Sequence, residues 1–294
     1  MATKNIYLET AKNLKTKTEI NDCAMWISEQ GDIETLKYLV ENKADVHYEN
    51  DVCIILASSK GHLEVVKCLV ENNADIHIKN DVCVKLASKN GHLDTVQYLV
   101  ENNADIHVDI DTCIIWASEG GHIDTVKYLI ENKADIHADN DGCIKWASKS
   151  GHLNVVKYLL ENKVNIHTVN DYCIKWASGC GNLNVVKYLV ENNADIHSGN
   201  DFAVKMASRN GWINTVKYLI QHNADISVII PRHKKIIFGL KIVNWWRNQI
   251  KRRRLIRIRN TLTPIYYSPT MKGGYFAKKF LEEYINKINP KEII

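Results

Sequence analysis

The chain has 294 residues, with 38 Lys and Arg against 34 Asp and Glu, and 45 % of its residues are hydrophobic. This composition fits one or two globular domains with a sizeable core and excludes a disordered chain. The charge is uneven, since residues 1–230 carry a net −9 and residues 231–294 a net +13. We therefore expect an acidic body followed by a basic C-terminal region.

The N-terminal residues indicate no targeting segment. Met1–Lys17 lacks an apolar core followed by small residues, so no secretory signal is expected. No stretch approaches the roughly 18 uncharged apolar residues of a membrane span, so we expect no membrane-spanning segment. Eight cysteines without a secretory signal predict reduced thiols in an intracellular protein. Residues 1–20 precede the periodic part of the chain and are expected to form an N-terminal cap.

A 30-residue period dominates the sequence. Gly-His occurs at Gly61-His62 and recurs at 30-residue intervals through Gly151-His152, with altered copies at Gly31-Asp32, Gly181-Asn182 and Gly211-Trp212. Such a period is typical of stacked repeats. The expected units are 21–50, 51–80, 81–110, 111–140, 141–170, 171–200 and 201–230.

Each unit is predicted to contain two helices. In the unit 81–110, Asp81 is expected to cap a first helix that ends before Asn90-Gly91. Leu93, Val96 and Leu99 then form the apolar stripe of a second helix. A connector of about ten residues follows, and one helix pair buries its apolar faces only against stacked neighbours.

These residues resemble a known family. The run from Gly61 to Ile76, GHLEVVKCLVENNADI, closely resembles the second helix and turn of ankyrin repeats, and Ala57-Ser58 resembles the Ala-Ala pair of that family. The period is three residues shorter than the usual 33, and Val82-Cys83-Val84-Lys85 replaces the Thr-Pro-Leu-His opening. The pitch and the Asn/Ile/Lys-rich composition are similar to ankyrin families of giant amoebal DNA viruses (mimivirus-like). The resemblance implies an all-α fold, an ankyrin-type helix-turn-helix solenoid of seven 30-residue repeats with a basic helical C-terminal region.

Three periodic rows of side chains have a structural and a functional interpretation. The cysteine ladder from Cys23 to Cys173 is interpreted as small buried residues, because a linear ladder at helix-packing distances supports neither disulfides nor a zinc site. Histidines after each Gly are expected to bond backbone, and those ending the connectors to be exposed. No Asp or Glu is expected to be placed beside a His as in a general base. Tryptophans such as Trp146 alternate with Leu and Met in the first helices, which favours a core position over a ligand-binding stripe.

Two classes of position vary between units while the frame around them stays constant, as a modular recognition surface would. The alternative is that these positions are unconstrained by any partner. The connector-tip candidates are Tyr48, Glu49, Ile78, Lys79, Val108, Asp109, Ile110, Asp139 and Val169. The candidates just before each Gly are Lys60, Lys89, Glu119, Lys149 and Arg209.

The C-terminal region 231–294 is expected to be a basic cap or tail. Its basic run, with candidate residues Lys251, Arg252, Arg253, Arg254, Arg257 and Arg259, has three interpretations: a solvated cap face, a nuclear localisation signal, or a patch for nucleic acid or anionic lipid. Trp245 and Trp246 beside these cations would permit base stacking.

The sequence therefore favours a non-catalytic, monomeric protein-interaction scaffold without cofactor or metal. Its partner is expected to be a host or viral protein met in the cytoplasm of a host cell. A nuclear or nucleic-acid-associated protein that uses the basic tail is the second hypothesis. An adaptor in a ubiquitin-ligase pathway is the third, although no F-box is recognised.

Overall fold

The structure is a computed structural model that describes residues 2–234 and residue 237. Its helices are α1 Ala2–Lys12, α2 Lys17–Gln30, α3 Ile33–Glu41, α4 Tyr48–Lys60, α5 Leu63–Glu71, α6 Ile78–Lys89, α7 Leu93–Glu101, α8 Val108–Gly120, α9 Ile123–Glu131, α10 Ala138–Ser150, α11 Leu153–Glu161, α12 Thr168–Cys180, α13 Leu183–Glu191, α14 Ser198–Arg209 and α15 Ile213–Gln221. A 3₁₀ helix follows at Ile226–Val228. The described residues contain no strand, and the expected all-helical solenoid is confirmed.

The second helices, α3 to α15 in odd numbers, form where the sequence places a period-3.6 apolar stripe. In α5 the side chains of Val65, Val66 and Leu69 are fully buried. The helix ends at Glu71, and the N–H of Ala74 donates to the carbonyl of Leu69 at 3.0 Å, with Asn73 in the left-handed region at φ +67°. This six-residue closure satisfies a carbonyl that a helix end leaves free.

The first helices, α4 to α14 in even numbers, begin in an unexpected way. In α6, Lys79, Asn80 and Asp81 all lie in the left-handed region, with φ between +48° and +55°, so the right-handed turns start at Val82. Asp81 is buried, and its side chain makes no capping bond to its own helix. The prediction that Asp81 caps the first helix is wrong, because its carboxylate is used to join neighbouring connectors.

Neighbouring pairs stack through like helices, first on first and second on second. The core runs along these contacts and contains fully buried Ile54, Ile114 and Ile174 from first helices and Leu99 and Leu159 from second helices. Each such side chain stabilises the fold by about 1.5–3 kcal/mol relative to an exposed one. Helix α1 contacts α2 and α3, which covers the N-terminal end of the stack.

The cysteine ladder lies within the first-helix layer. Cys53, Cys83, Cys113, Cys143 and Cys173 are free thiols exposed by no more than 1 %, and Ala203 takes the same buried position. Burial raises the pKa of Cys83 to about 12, and a contact with the Ser58 hydroxyl opposes the rise. The interpretation of the ladder as small buried residues is confirmed for these five cysteines, whereas Cys23 at the N-terminal end of the ladder is only partly buried.

The tryptophan row does not belong to the core. Trp26 is 43 % exposed, and Trp116, Trp146 and Trp176 are half-buried on the first helices. The core prediction for this row is wrong. Leu56, Leu86 and Met206 in the other copies are half-buried too, so exchange with Leu or Met indicates an apolar surface of the solenoid.

The basic run 251–259, together with Trp245 and Trp246, lies outside the described residues. In the described part of the chain, no helix combines the length and apolar character that crossing a membrane requires.

Candidate functional site

The connectors are tied together by a repeated histidine–aspartate bond. The Nδ1–H of His77 donates to Oδ1 of Asp81 at 2.8 Å, and the same oxygen accepts the backbone N–H of Asp105 in the next connector at 3.1 Å. The equivalent His–Asp pairs are 47–51, 107–111, 137–141, 167–171 and 197–201, at 2.7–3.0 Å.

The histidine side chains of these pairs are about half exposed, as predicted. The prediction that no carboxylate faces a histidine is wrong, because Asp follows each connector His by four residues across the left-handed turn. In every pair of the described residues except 137–141, the same carboxylate oxygen also accepts a backbone N–H of the next connector, so these pairs fix the spacing between adjacent tips.

The histidines after Gly form a second ladder on the turns between helices. The Nε2–H of His92 donates to the carbonyl of Ser59 in the preceding turn at 3.0 Å, which confirms the predicted backbone bond. Its ring packs on Gly61, where an added Cβ would lie 2.3 Å from the imidazole. Asn182 and Trp212 make the equivalent bonds to the carbonyls of Lys149 and Gly179. Both ladders thus position the tips and turns rigidly relative to the helices.

The structure places the predicted connector-tip residues at two depths. Tyr48, Ile78 and Val108 are half-buried, so these three are less accessible than the prediction required. The exposed members are Glu49, Lys79, Asp109, Ile110, Asp139 and Val169.

Two exposed tip residues are apolar, β-branched and held in the left-handed region. Ile110 is 70 % exposed at φ +61°, and Val169 is 55 % exposed at φ +47°. A left-handed L-residue costs roughly 1–2 kcal/mol, and Asn, which other units carry at the position of Ile110, reduces that cost. These residues therefore lower stability without packing inside the solenoid.

The predicted turn residues are brought together with the tryptophan row. The Lys89 ammonium lies 5.0 Å from the ring centre of Trp116 and 3.9 Å from a carboxylate oxygen of Glu119. Lys149 lies over two rings, 4.4 Å from Trp146 and 5.4 Å from Trp176. Lys60 pairs with Glu29 of the preceding turn at 3.3 Å, and Arg209 is exposed.

Sequence reasoning missed that the tryptophan and lysine rows lie side by side on the first helices, where most members are partly exposed and Lys85 is buried. The ammonium of Lys85 donates to Asp109 at 2.6 Å and holds the pKa of that carboxyl below its usual value. Lys145 bonds the Asp139 carbonyl at 2.6 Å. The period was the available signal, because positions 25, 26 and 29 of the chain and their 30-residue equivalents vary between units. Most of these residues are partly exposed, whereas Lys85, Ile115 and Gly179 are buried. Among the described residues, no three His, Cys, Asp or Glu side chains converge as metal ligands would.

A family model described as ankyrin repeats (3 copies) matches residues 1–80, 84–170 and 144–230. The chain therefore belongs to the ankyrin repeat family. Repeats of this family are generally protein–protein interaction modules, and their all-helical fold is typically non-enzymatic. A search of curated proteins found no significant match.

Proposed function

We propose that the protein is a non-catalytic scaffold that holds a protein partner against its connector tips and the turns that precede each Gly. The predicted contact residues on the accessible surface are the exposed tips, including Ile110 and Val169, and the turn residues Lys60, Lys89 and Arg209. The 30-residue pitch resembles that of viral ankyrin families, which makes a host or viral protein in the host cytoplasm the first partner to test.

The observation that carries the proposal is the conformation of Ile110. An isoleucine that is 70 % exposed and left-handed costs the folded chain both solvation and backbone free energy. Strained residues of this kind cluster at binding sites, where a contact outside the chain offsets their cost. Val169 repeats the combination two units further along the chain.

The test uses full-length protein with Ile110→Asn and Val169→Asn together. Asn suits the left-handed region, so loss of partner capture in these variants cannot be attributed to unfolding. The matched control carries Glu131→Gln and Glu161→Gln, exposed residues at the ends of α9 and α11. Each protein is used for affinity capture from cell lysate, with and without nuclease. We expect the unmodified protein and the control variant to capture a partner with and without nuclease, and the tip variant to lose that partner. Equal capture of the partner by the tip variant and the control variant contradicts the proposal.

A second candidate function rests on the basic tail. Residues 231–294 carry 16 Lys and Arg against 3 Asp and Glu, a density that suits phosphate contacts in a nuclear or nucleic-acid-associated protein. Replacing the cations of Lys251–Arg259 by Gln would then reduce both affinity for nucleic acid and its dependence on salt. Capture that disappears with nuclease and with this variant, but persists in the tip variant, would assign the function to the tail.

A further inference from the structure

The first-helix cations are neutralised by carboxylates in the early part of the solenoid and left without them later. Lys60 pairs with Glu29, Lys85 with Asp109, and Lys145 with Asp139. Across the described residues, four further cations of this face have no carboxylate oxygen within 4.0 Å. These four cations are Lys149, Lys175, Lys205 and Arg209; Lys175 donates to the neutral Asn170 carbonyl and keeps its charge uncompensated. We call them unpaired because none of them has a carboxylate partner.

The carboxylates missing beside Lys149, Lys175 and Lys205 can be traced to three substitutions. Asp139 precedes Lys145 by six residues, and the equivalent positions before Lys175 and Lys205 are Val169 and Gly199. An added Cβ at Gly199 would lie 3.3 Å from the Lys175 ammonium, so an acid here would reach it. Glu119 follows Lys89 by 30 residues, and Gly179 replaces the equivalent acid after Lys149.

The charge of the solenoid changes at the same place. Residues 21–140 carry 9 Lys and Arg against 22 Asp and Glu, whereas residues 141–230 carry 9 against 7. An acidic ligand is therefore repelled from the early units and attracted to the later ones. The unpaired cations also border apolar surface, since Tyr172 packs on Trp176 at 5.5 Å and Phe202 is 36 % exposed.

We propose that the face of α10, α12 and α14 formed by the four unpaired cations with Tyr172, Trp176 and Phe202 binds an acidic peptide segment that carries apolar residues. This inference rests on the proposed function and names the chemistry of the partner. The partner's carboxylates pair with these cations where the chain itself has Val169, Gly179 and Gly199 in place of Asp or Glu. Single-stranded nucleic acid is the alternative occupant, because bases could stack on the same rings, and the test below includes it.

The probe is a fluorescent peptide of alternating Glu and Leu, about ten residues long, which spans three helices spaced about 10 Å apart. Binding to the full-length protein is measured by anisotropy, beside a Gln-Leu peptide and a single-stranded oligonucleotide of similar length. We expect saturable binding of the glutamate peptide that weakens with salt and little binding of the glutamine peptide.

The decisive variant restores the acids and keeps every lysine. Val169→Asp and Gly199→Asp reproduce the arrangement of Asp139 with Lys145 and of Asp109 with Lys85, and Asp is found left-handed at both equivalent positions. We expect this variant to lose at least about tenfold in affinity, which is roughly the effect of one or two new charge pairs on a partly buried surface. Lys205→Gln with Arg209→Gln should weaken binding similarly. Circular dichroism verifies that each variant is folded.

The control variant changes the same number of charges on the second helices of neighbouring units. Lys157→Gln with Lys187→Gln removes the charge of two exposed lysines of α11 and α13, a net change of two charges as in both test variants, and should leave peptide affinity within about twofold, as expected for distant exposed charges. Equal loss in both charge variants, absence of saturable peptide binding, or loss only when Lys251–Arg259 is neutralised would overturn the inference. Preferential oligonucleotide binding that depends on Lys205 and Arg209 would assign the face to nucleic acid instead. Failure of the tip test leaves these outcomes unchanged, so the two proposals fail separately.

Discussion

Removal of one buried carboxylate should show how the connectors are held in register. Asp81 is 6 % exposed, and its Oδ1 accepts the Nδ1–H of His77 at 2.8 Å and the backbone N–H of Asp105 at 3.1 Å. Asp81→Ala deletes both bonds and places Ala in the left-handed region at φ +52°. The structure allows the two contributions to be separated, because other units carry natural variations of the same arrangement.

The expected cost of Asp81→Ala is about 3 kcal/mol. A hydrogen bond to a charged group contributes about 1.5–3 kcal/mol, and the half-exposed His77 recovers part of its loss from water. A left-handed Ala adds about 1 kcal/mol. Asp81→Asn should cost only about 1 kcal/mol, because an amide oxygen can still accept the N–H and Asn tolerates the left-handed region. Asn21 already makes this bond to the N–H of Asp45 at 2.9 Å.

The assay is urea denaturation followed by far-ultraviolet circular dichroism, with hydrogen exchange of α6 and α8 to detect partial unfolding of the repeat array. Asp141→Ala serves as the matched control, since Asp141 accepts a bond from His137 and, within residues 2–234, none from the next connector. Its expected cost is about 1–2 kcal/mol. Equal destabilisation by Asp81→Ala and Asp81→Asn, or by Asp81→Ala and Asp141→Ala, would refute the assignment of Asp81 as the link between connectors.

Three further predictions follow from strain, burial and protonation. Ile110→Asn should raise the free energy of unfolding by about 1 kcal/mol through relief of left-handed strain, and an unchanged thermal midpoint would contradict it. Ser178→Ala should be neutral or should stabilise the protein by up to about 1 kcal/mol, because within the described chain the buried Ser178 hydroxyl has no hydrogen-bond partner. Ser28→Ala is the comparison, since it loses a 2.7 Å bond to the Ala24 carbonyl and should lower the free energy of unfolding by about 1 kcal/mol in the same urea titration. Burial and, to a smaller extent, the neighbouring imidazoles lower the pKa of His122 below 6.5. On acidification the unfolded chain therefore binds a proton at this site at a higher pH than the folded chain, and the free energy of unfolding falls as the pH drops below about 6.5. His122→Asn should reduce this fall, and a pH profile identical to that of the unmodified protein would count against the cause given.

Much of the fold could be predicted from the sequence because its local signals agree with the stacking. The second helices carry a complete period-3.6 stripe, and the Gly-His pair marks a turn that only Gly can make against the next imidazole. The cysteine ladder was interpretable because Ala203 shows that small size is what its position requires. In each of these cases the residue type and its environment within neighbouring units are linked by simple sterics or burial.

The first-helix starts and the tryptophan row could not be predicted in the same way. Asp before an apolar run usually caps a helix, and nothing local distinguishes a cap from a left-handed turn whose carboxylate bonds a backbone N–H 24 residues later. Exchange of tryptophan with leucine between units indicates an apolar environment, but it does not show whether one side of the tryptophan ring is exposed to solvent. Both features depend on contacts between units, which the period implies but does not specify.

The charge gap in the later units illustrates what the structure adds to a repeat. Val169, Gly179 and Gly199 look like neutral variation when the units are aligned, because each differs from its equivalents as freely as other surface positions do. The Lys85–Asp109 and Lys145–Asp139 pairs show that the positions of Val169 and Gly199 supply carboxylates to lysines of the first helices. The Lys89–Glu119 pair shows the same for the position of Gly179. Loss of all three acids while the cations are kept creates a localised positive face on a solenoid whose residues 1–230 carry a net −9. A positive face of this kind does not stabilise the folded chain, since like charges on adjacent helices repel each other. Its charges become favourable when a partner supplies the missing carboxylates.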